Sequence, residues 1–106
     1  MGLFDFLKAP GINAGVKQFG STPKAVLLDV RTREEYAEGR VPCGRNIPLH
    51  EIRKAVKEIP DRSTPLFVCC LSGARSRRAA SMLRSMGYQN VTNIGGISEY
   101  RGTMEG

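Results

Sequence analysis

Leu66-Phe67-Val68-Cys69-Cys70-Leu71-Ser72-Gly73-Ala74-Arg75-Ser76 reads as a strand, a tight loop and the start of a helix. Leu66 to Cys69 is a short continuous apolar run, the pattern of a strand buried on both faces of a parallel sheet. Gly73 and small residues make the loop, and Arg75 and Ser76 open a helix. Ala79, Met82, Leu83 and Met86 keep helical spacing until Gly87.

The same alternation continues in both directions. Upstream, Leu49, Ile52, Val56 and Ile59 mark one helical face ending at Pro60. Arg45-Asn46-Ile47, closed by Pro48, is a brief strand. Thr32 and Glu35 have the spacing of a capping box and predict a short helix through Tyr36 and Ala37, stopped by Gly39. Ala25-Val26-Leu27-Leu28-Asp29-Val30 is a further buried strand. Ile12, Val16 and Phe19 predict a helix that Gly20 and Pro23 end. Downstream, Val91-Thr92-Asn93-Ile94 is the last strand, followed by Gly95-Gly96. Alternation over short connections predicts an α/β domain over residues 12–106, with a central parallel sheet of four to five strands and helices on both faces. Residues 1–11 read as a leader, in which Leu3, Phe4, Phe6 and Leu7 pack loosely on the domain.

The chain has 106 residues, one domain's worth. Its 16 Lys and Arg against 10 Asp and Glu give +6, which favours anionic partners. Aromatic residues are 7% and Trp is absent, so there is little material for a base-stacking surface and no nucleic acid partner is expected. No apolar run approaches the ~20 residues of a bilayer span, and no membrane association is expected. Asp5 interrupts the N-terminal apolar run, which excludes a secretory signal, and Phe6 stands where myristoylation wants Ser or Thr. The three cysteines, Cys43, Cys69 and the adjacent Cys70, make a poor disulfide framework and point to a reducing compartment, the cytoplasm.

In open parallel sheets, ligands bind beyond the carboxyl ends of the strands. That directs attention to the turns after Val30, Ile47, Cys69 and Ile94. The turn after the Leu66 strand carries a nucleophile. The first amides of a helix have no partner inside it and, with the helix dipole, form an anion site. A cysteine there has a lowered pKa and reacts as thiolate. Gly73 lets consecutive N–H groups converge above the sulfur.

The loop from Cys70 to Ser76 resembles the active-site loop of rhodanese domains, a sulfurtransferase family whose pattern is Cys, four residues, Arg, then Ser or Thr. The likeness extends over roughly residues 12–102. Leu28-Asp29-Val30-Arg31 with Glu35-Tyr36 is similar to the family's early motif. Gly39 to Pro48 is similar to its middle motif, and Met86-Gly87-Tyr88, Val91 and Gly95-Gly96 to its ending. The resemblance implies that Cys70 attacks a sulfane sulfur donor, such as thiosulfate or a protein persulfide, and holds the sulfur as a persulfide. The backbone of Leu71, Ser72, Gly73, Ala74 and Arg75 cradles it, and a thiol or cyanide acceptor takes it. It implies no cofactor, and a monomer is expected. Members that use thiosulfate often carry Arg where this chain has Leu71, which counts against thiosulfate as the natural donor. The middle motif commonly has His and Gly where this chain has Arg40 and Cys43.

Two alternatives stand beside this reading. Cell-cycle phosphatases and some arsenate reductases share the fold and the cysteine position, but their loops are one residue longer. A non-catalytic binding module of the same family is the other; inactive members usually lack the cysteine. Of the remaining residues, Cys69 is expected in a packed layer, because successive strand residues face opposite ways. Cys43 is expected as a partly buried small residue, at the far end of the sheet from Cys70. Arg75 either lines the site or braces the loop, with the resemblance favouring the brace. Arg77, Arg78 and Arg84 read as a solvated helix face, Asp29 and Arg31 as supports behind the site, and His50 as a surface residue. No Cys, His and carboxylate set has metal-ligand spacing.

Overall fold

A computed structural model describes residues 10–106. The expected leader contacts of Leu3, Phe4, Phe6 and Leu7 lie outside the described residues. The elements are α1 (Ile12–Gly20), β1 (Val26–Asp29), α2 (Arg33–Glu38), β2 (Gly44–Asn46), a 3-10 segment (Leu49–Lys54) running into α3 (Ala55–Glu58), β3 (Leu66–Cys70), α4 (Ala74–Ser85), β4 (Val91–Gly96) and a terminal 3-10 turn (Ile97–Glu99). The four strands form one parallel sheet in the order β2-β1-β3-β4.

The period of two along each strand sorts the core into two layers. Leu28, Val30, Leu66, Val68 and Cys70 face α4 and the 3-10 segment, against Ile52, Ala55, Ala79 and Leu83. Leu27, Phe67, Cys69 and Ile94 face α1, against Ile12, Val16 and Phe19. All five residues of β3 are buried. The apolar run of Leu66 to Cys70 therefore fills both layers at once, and helices lie on both faces as expected. Among the described residues, no helix is long and apolar enough to cross a membrane.

Three expectations are corrected. The helical face after Pro48 is not a single α-helix. It begins as a 3-10 segment with non-helical backbone at Glu51 (φ −116°, ψ 17°). Three residues per turn bring Ile52 and then Ala55 inward, and an α-turn adds Ile59. Val56, expected in the core, is 40% exposed, and Ala55 takes its place. The Tyr88 hydroxyl holds the end of this segment, 2.8 Å from the Ala55 carbonyl oxygen and 2.6 Å from that of Ile59.

Cys43 is exposed rather than partly buried. Its backbone is left-handed, at φ +68°. Such a conformation disfavours a residue with a Cβ and is adopted more readily by glycine. The last strand is longer than expected, running to Gly96. It carries a bulge: Val68 pairs with Asn93, but Cys69 pairs with Gly95.

Candidate active site

Cys70 ends β3 and has no accessible surface. The chain turns at once into α4, whose N-cap is Gly73 in the left-handed region (φ +106°, ψ −17°). That conformation aims the Gly73 N–H back at the Cys70 sulfur, at 3.0 Å. The Ser76 amide donates to the same sulfur at 3.3 Å, and the Ser76 Oγ lies 3.5 Å away. Burial alone pushes this thiol up. The Ser76 hydroxyl and the amides of Ser76, Gly73 and Ser72 outweigh it, and the Cys70 thiol titrates below its ordinary value. Cys69 has no such donors. Burial, reinforced by the Asp29 carboxylate, drives its thiol strongly upward. The two adjacent cysteines are opposite in chemistry because the strand turns them into different layers and only Cys70 meets the loop's hydrogen-bond donors.

Of the loop residues read from the sequence, Gly73 brings its amide to the thiol sulfur. The Leu71 and Ala74 side chains face solvent. Ser76 stands in the quoted motif, but its role as a sulfur ligand was not read from it. Asn93 was missed as well. Its Oδ1 accepts from the Ser76 hydroxyl at 2.7 Å and from the Gly95 amide at 3.0 Å. The one available signal was a polar residue placed between Val91 and Ile94 in the last strand.

Arg75 braces the loop. Its guanidinium makes a two-pronged pair with Glu35, Nη1 to Oε1 at 2.7 Å and Nη2 to Oε2 at 2.9 Å. Glu35 is also the far member of the capping box on α2. Its Oε1 accepts from the Thr32 amide at 2.9 Å, and its own amide donates to the Thr32 Oγ1 at 3.2 Å. The Arg75 guanidinium holds the Glu35 carboxyl down at about 2. Glu35 is therefore ionised throughout the range in which a thiolate forms. Behind it, Arg31 and Asp29 form a buried pair, 4% and 2% exposed. Arg31 Nη2 lies 2.8 Å from Asp29 Oδ2 and donates to the Gly39 carbonyl at 2.7 Å; Nη1 donates to the Glu35 carbonyl at 3.3 Å. The middle and the C-terminal end of α2 are thus tied to the end of β1, and α2 in turn carries the carboxylate that holds the loop.

The second wall of the loop is Gly96. A Cβ there would overlap the Leu71 carbonyl oxygen and the Ser72 Cα. The loop is held against this bare backbone by the Ser98 amide, which donates to the Leu71 carbonyl at 3.0 Å. Gly96→Ala should push the loop off its seat, costing about 1–3 kcal/mol in stability. Any reaction that uses the Cys70 thiol should slow on the order of 100-fold, as reactions with misplaced groups do. Thermal melts and steady-state rates on the purified variant check both.

Beside the loop, a cleft of about 420 Å3 is lined by Val30, Thr32, Leu49, Arg53, Arg75 and Arg78. It touches the loop through Arg75 rather than Cys70. Arg53 and Arg78 are exposed, as are Arg77 and Arg84, the expected solvated face. His50 is exposed, with Nε2 3.2 Å from Glu51 Oε2.

Known proteins resemble the chain in sequence and in fold. The family described as Rhodanese-like domain matches residues 14–103. A sulfurtransferase of Allochromatium vinosum is 39% identical over 83 residues, covering 76% of this chain and 76% of that protein. A thiosulfate sulfurtransferase of Escherichia coli is 36% identical over 73 residues, covering 68% and 70%. Among solved structures, a rhodanese from Escherichia coli superimposes with a TM-score of 0.71 at 32% identity, covering 76% of this chain and 96% of that one. The human single-domain sulfurtransferase gives 0.75 at 28% identity, covering 90% and 99%.

Proposed function

The chain belongs to the rhodanese-like domain family, and from that premise we propose that it is a sulfurtransferase carrying sulfur as a persulfide on Cys70. The observation that carries the proposal is the Cys70 sulfur seated under the Gly73 and Ser76 amides at the N-terminus of α4.

The Cys70 thiolate attacks the outer, sulfane sulfur of the donor. A new S–S bond forms at Cys70, the donor's own bond to that sulfur breaks, and its electron pair leaves with the donor as a thiolate or sulfite. The persulfide's charge sits on its outer sulfur. The amides of Ala74 and Arg75, in the first turn of α4 and without carbonyl partners inside the helix, are free to meet it. An acceptor thiolate or cyanide then attacks the outer sulfur, and Cys70 leaves as thiolate. Because Cys70 has no accessible surface, the exposed Leu71-Ser72 segment must give way for a donor to reach it.

The exposed Arg53 and Arg78 beside the cleft favour an anionic donor. Leu71, 44% exposed, leaves the loop without the extra cation that would hold thiosulfate, so a persulfide donor is preferred. Four residues between Cys70 and Arg75 form a ring suited to one sulfur atom; a phosphoryl group has three peripheral oxygens, each wanting donors at ~2.9 Å. The free thiols fit a cytoplasmic setting, and the chain works as a monomer.

Parallel assays test the reading: sulfur transfer to cyanide from thiosulfate and from a protein persulfide, and hydrolysis of p-nitrophenyl phosphate. Transfer is expected from the persulfide in preference to thiosulfate, with negligible phosphate release. Ready phosphate release through Cys70, with both sulfur donors untouched, would replace this reading by a phosphatase.

A further inference from the structure

We propose that Asn93 is a positioning residue that controls the ionisation of Cys70 by competing with it for the Ser76 hydroxyl proton. Asn93 pairs with Val68 across the sheet and so shares the face of Val68 and Cys70, toward α4. The bulge at the next residue turns the Gly95 N–H back onto the Asn93 side chain, 3.0 Å from Oδ1. An N–H meets only an acceptor, so the oxygen of this amide is the atom that faces Gly95 and Ser76. Toward Ser76, Asn93 can then only accept, and the Ser76 hydroxyl is the donor at 2.7 Å.

A serine hydroxyl has one proton. Around the Ser76 Oγ stand three acceptors: Asn93 Oδ1 at 2.7 Å, the Gly73 carbonyl oxygen at 3.1 Å and the Cys70 sulfur at 3.5 Å. With the proton on Asn93, a lone pair of Oγ faces the sulfur. That arrangement suits a thiol, whose S–H donates to Oγ, and opposes a thiolate. When Cys70 loses its proton to solvent, the Ser76 hydroxyl keeps its own and swings to the sulfur, releasing Asn93. When Cys70 carries a second sulfur, the charge moves outward, the inner sulfur is neutral and the hydroxyl returns to Asn93. Asn93 therefore stabilises the thiol and the loaded form against the bare thiolate.

Of the other titratable and charged groups on the packed elements, Arg77, Arg78 and Arg84 on α4 are exposed to solvent, and the rest are paired or turned away. Arg75 on α4 is paired with Glu35 on α2, Asp29 with Arg31 at the end of β1, and the Cys69 thiol lies in the opposite layer. Asn93 itself is uncharged, so it acts on the sulfur through the hydroxyl.

The proposal deepens the sulfur-carrier reading, but its test needs no sulfur donor and stands separately from it. The pH midpoint of Cys70 alkylation by iodoacetamide, located by peptide mass, is measured in the native protein, Asn93→Ala, Ser76→Ala and the double variant. Asn93→Ala should lower the midpoint by roughly half a unit to one unit, the equivalent of one neutral hydrogen bond. The same change in the Ser76→Ala background should shift nothing. In the native protein, the 13C resonance of the Asn93 side-chain carbonyl should move at the Cys70 midpoint, and Ser76→Ala should remove that movement. This second readout does not depend on Asn93→Ala folding. An upward or absent shift in Asn93→Ala, an equal shift without the Ser76 hydroxyl, or a carbonyl resonance that ignores Cys70 overturns the proposal.

Discussion

Cys70→Ser should yield a folded protein that transfers no sulfur. A serine oxygen fits the space of the sulfur, so the Gly73 and Ser76 amides keep an acceptor and the fold loses little. An alcohol at this position has no accessible anion at neutral pH and cannot store a sulfane sulfur. Transfer to cyanide should drop to the uncatalysed rate. Cys69→Ser should retain transfer while destabilising the α1 layer, because it places a hydroxyl among Phe67, Ile94 and Ile12. Cys43→Ser, on the exposed turn, should change neither property. Retained turnover in Cys70→Ser, measured against the same three proteins at matched concentration, would remove Cys70 from the reaction.

The largest stability effect is expected at Arg31→Met. Removing the guanidinium leaves the Asp29 carboxylate 2% exposed without its partner, and leaves the Gly39 and Glu35 carbonyls without a donor. Breaking one side of a buried pair costs about 3–5 kcal/mol. For a domain of this size that lowers the melting temperature by more than about 12 °C. The double replacement Arg31→Met with Asp29→Leu should recover part of the loss, since no buried charge then remains. Turnover should fall as well, because Arg31 holds α2, which carries Glu35 and through it Arg75. A calorimetric melt within about 1 kcal/mol of native for Arg31→Met would show that the pair is not what holds this corner.

What the sequence discloses follows its physical periods. The strands of Leu27 and Phe67 were legible because a run buried on both faces admits only apolar residues. That Cys69 and Cys70 enter different layers followed from the pleat. The capping box was legible because Thr32 and Glu35 meet through local hydrogen bonds. The misreading at Val56 arose where the backbone changes pitch: a 3-10 turn moves the inward position from Val56 to Ala55, and nothing local in the residues marks the change. The partners of Arg75 and Ser76 were hidden for a different reason. Glu35 lies 40 residues from Arg75 and Asn93 lies 17 from Ser76. Their meeting depends on strand order and on the bulge in β4, properties of the assembled sheet. The exposure of Cys43 likewise depends on a turn conformation that its neighbours impose.

The measurement that bears most directly on the sulfur-carrier reading is the mass of the protein after incubation with a protein persulfide, followed by fragmentation that separates Cys69 from Cys70. The expected result is one added sulfur atom on Cys70, removed by a thiol reductant and passed to cyanide as thiocyanate. An unmodified Cys70, or sulfur found on Cys43 or Cys69 instead, would contradict it.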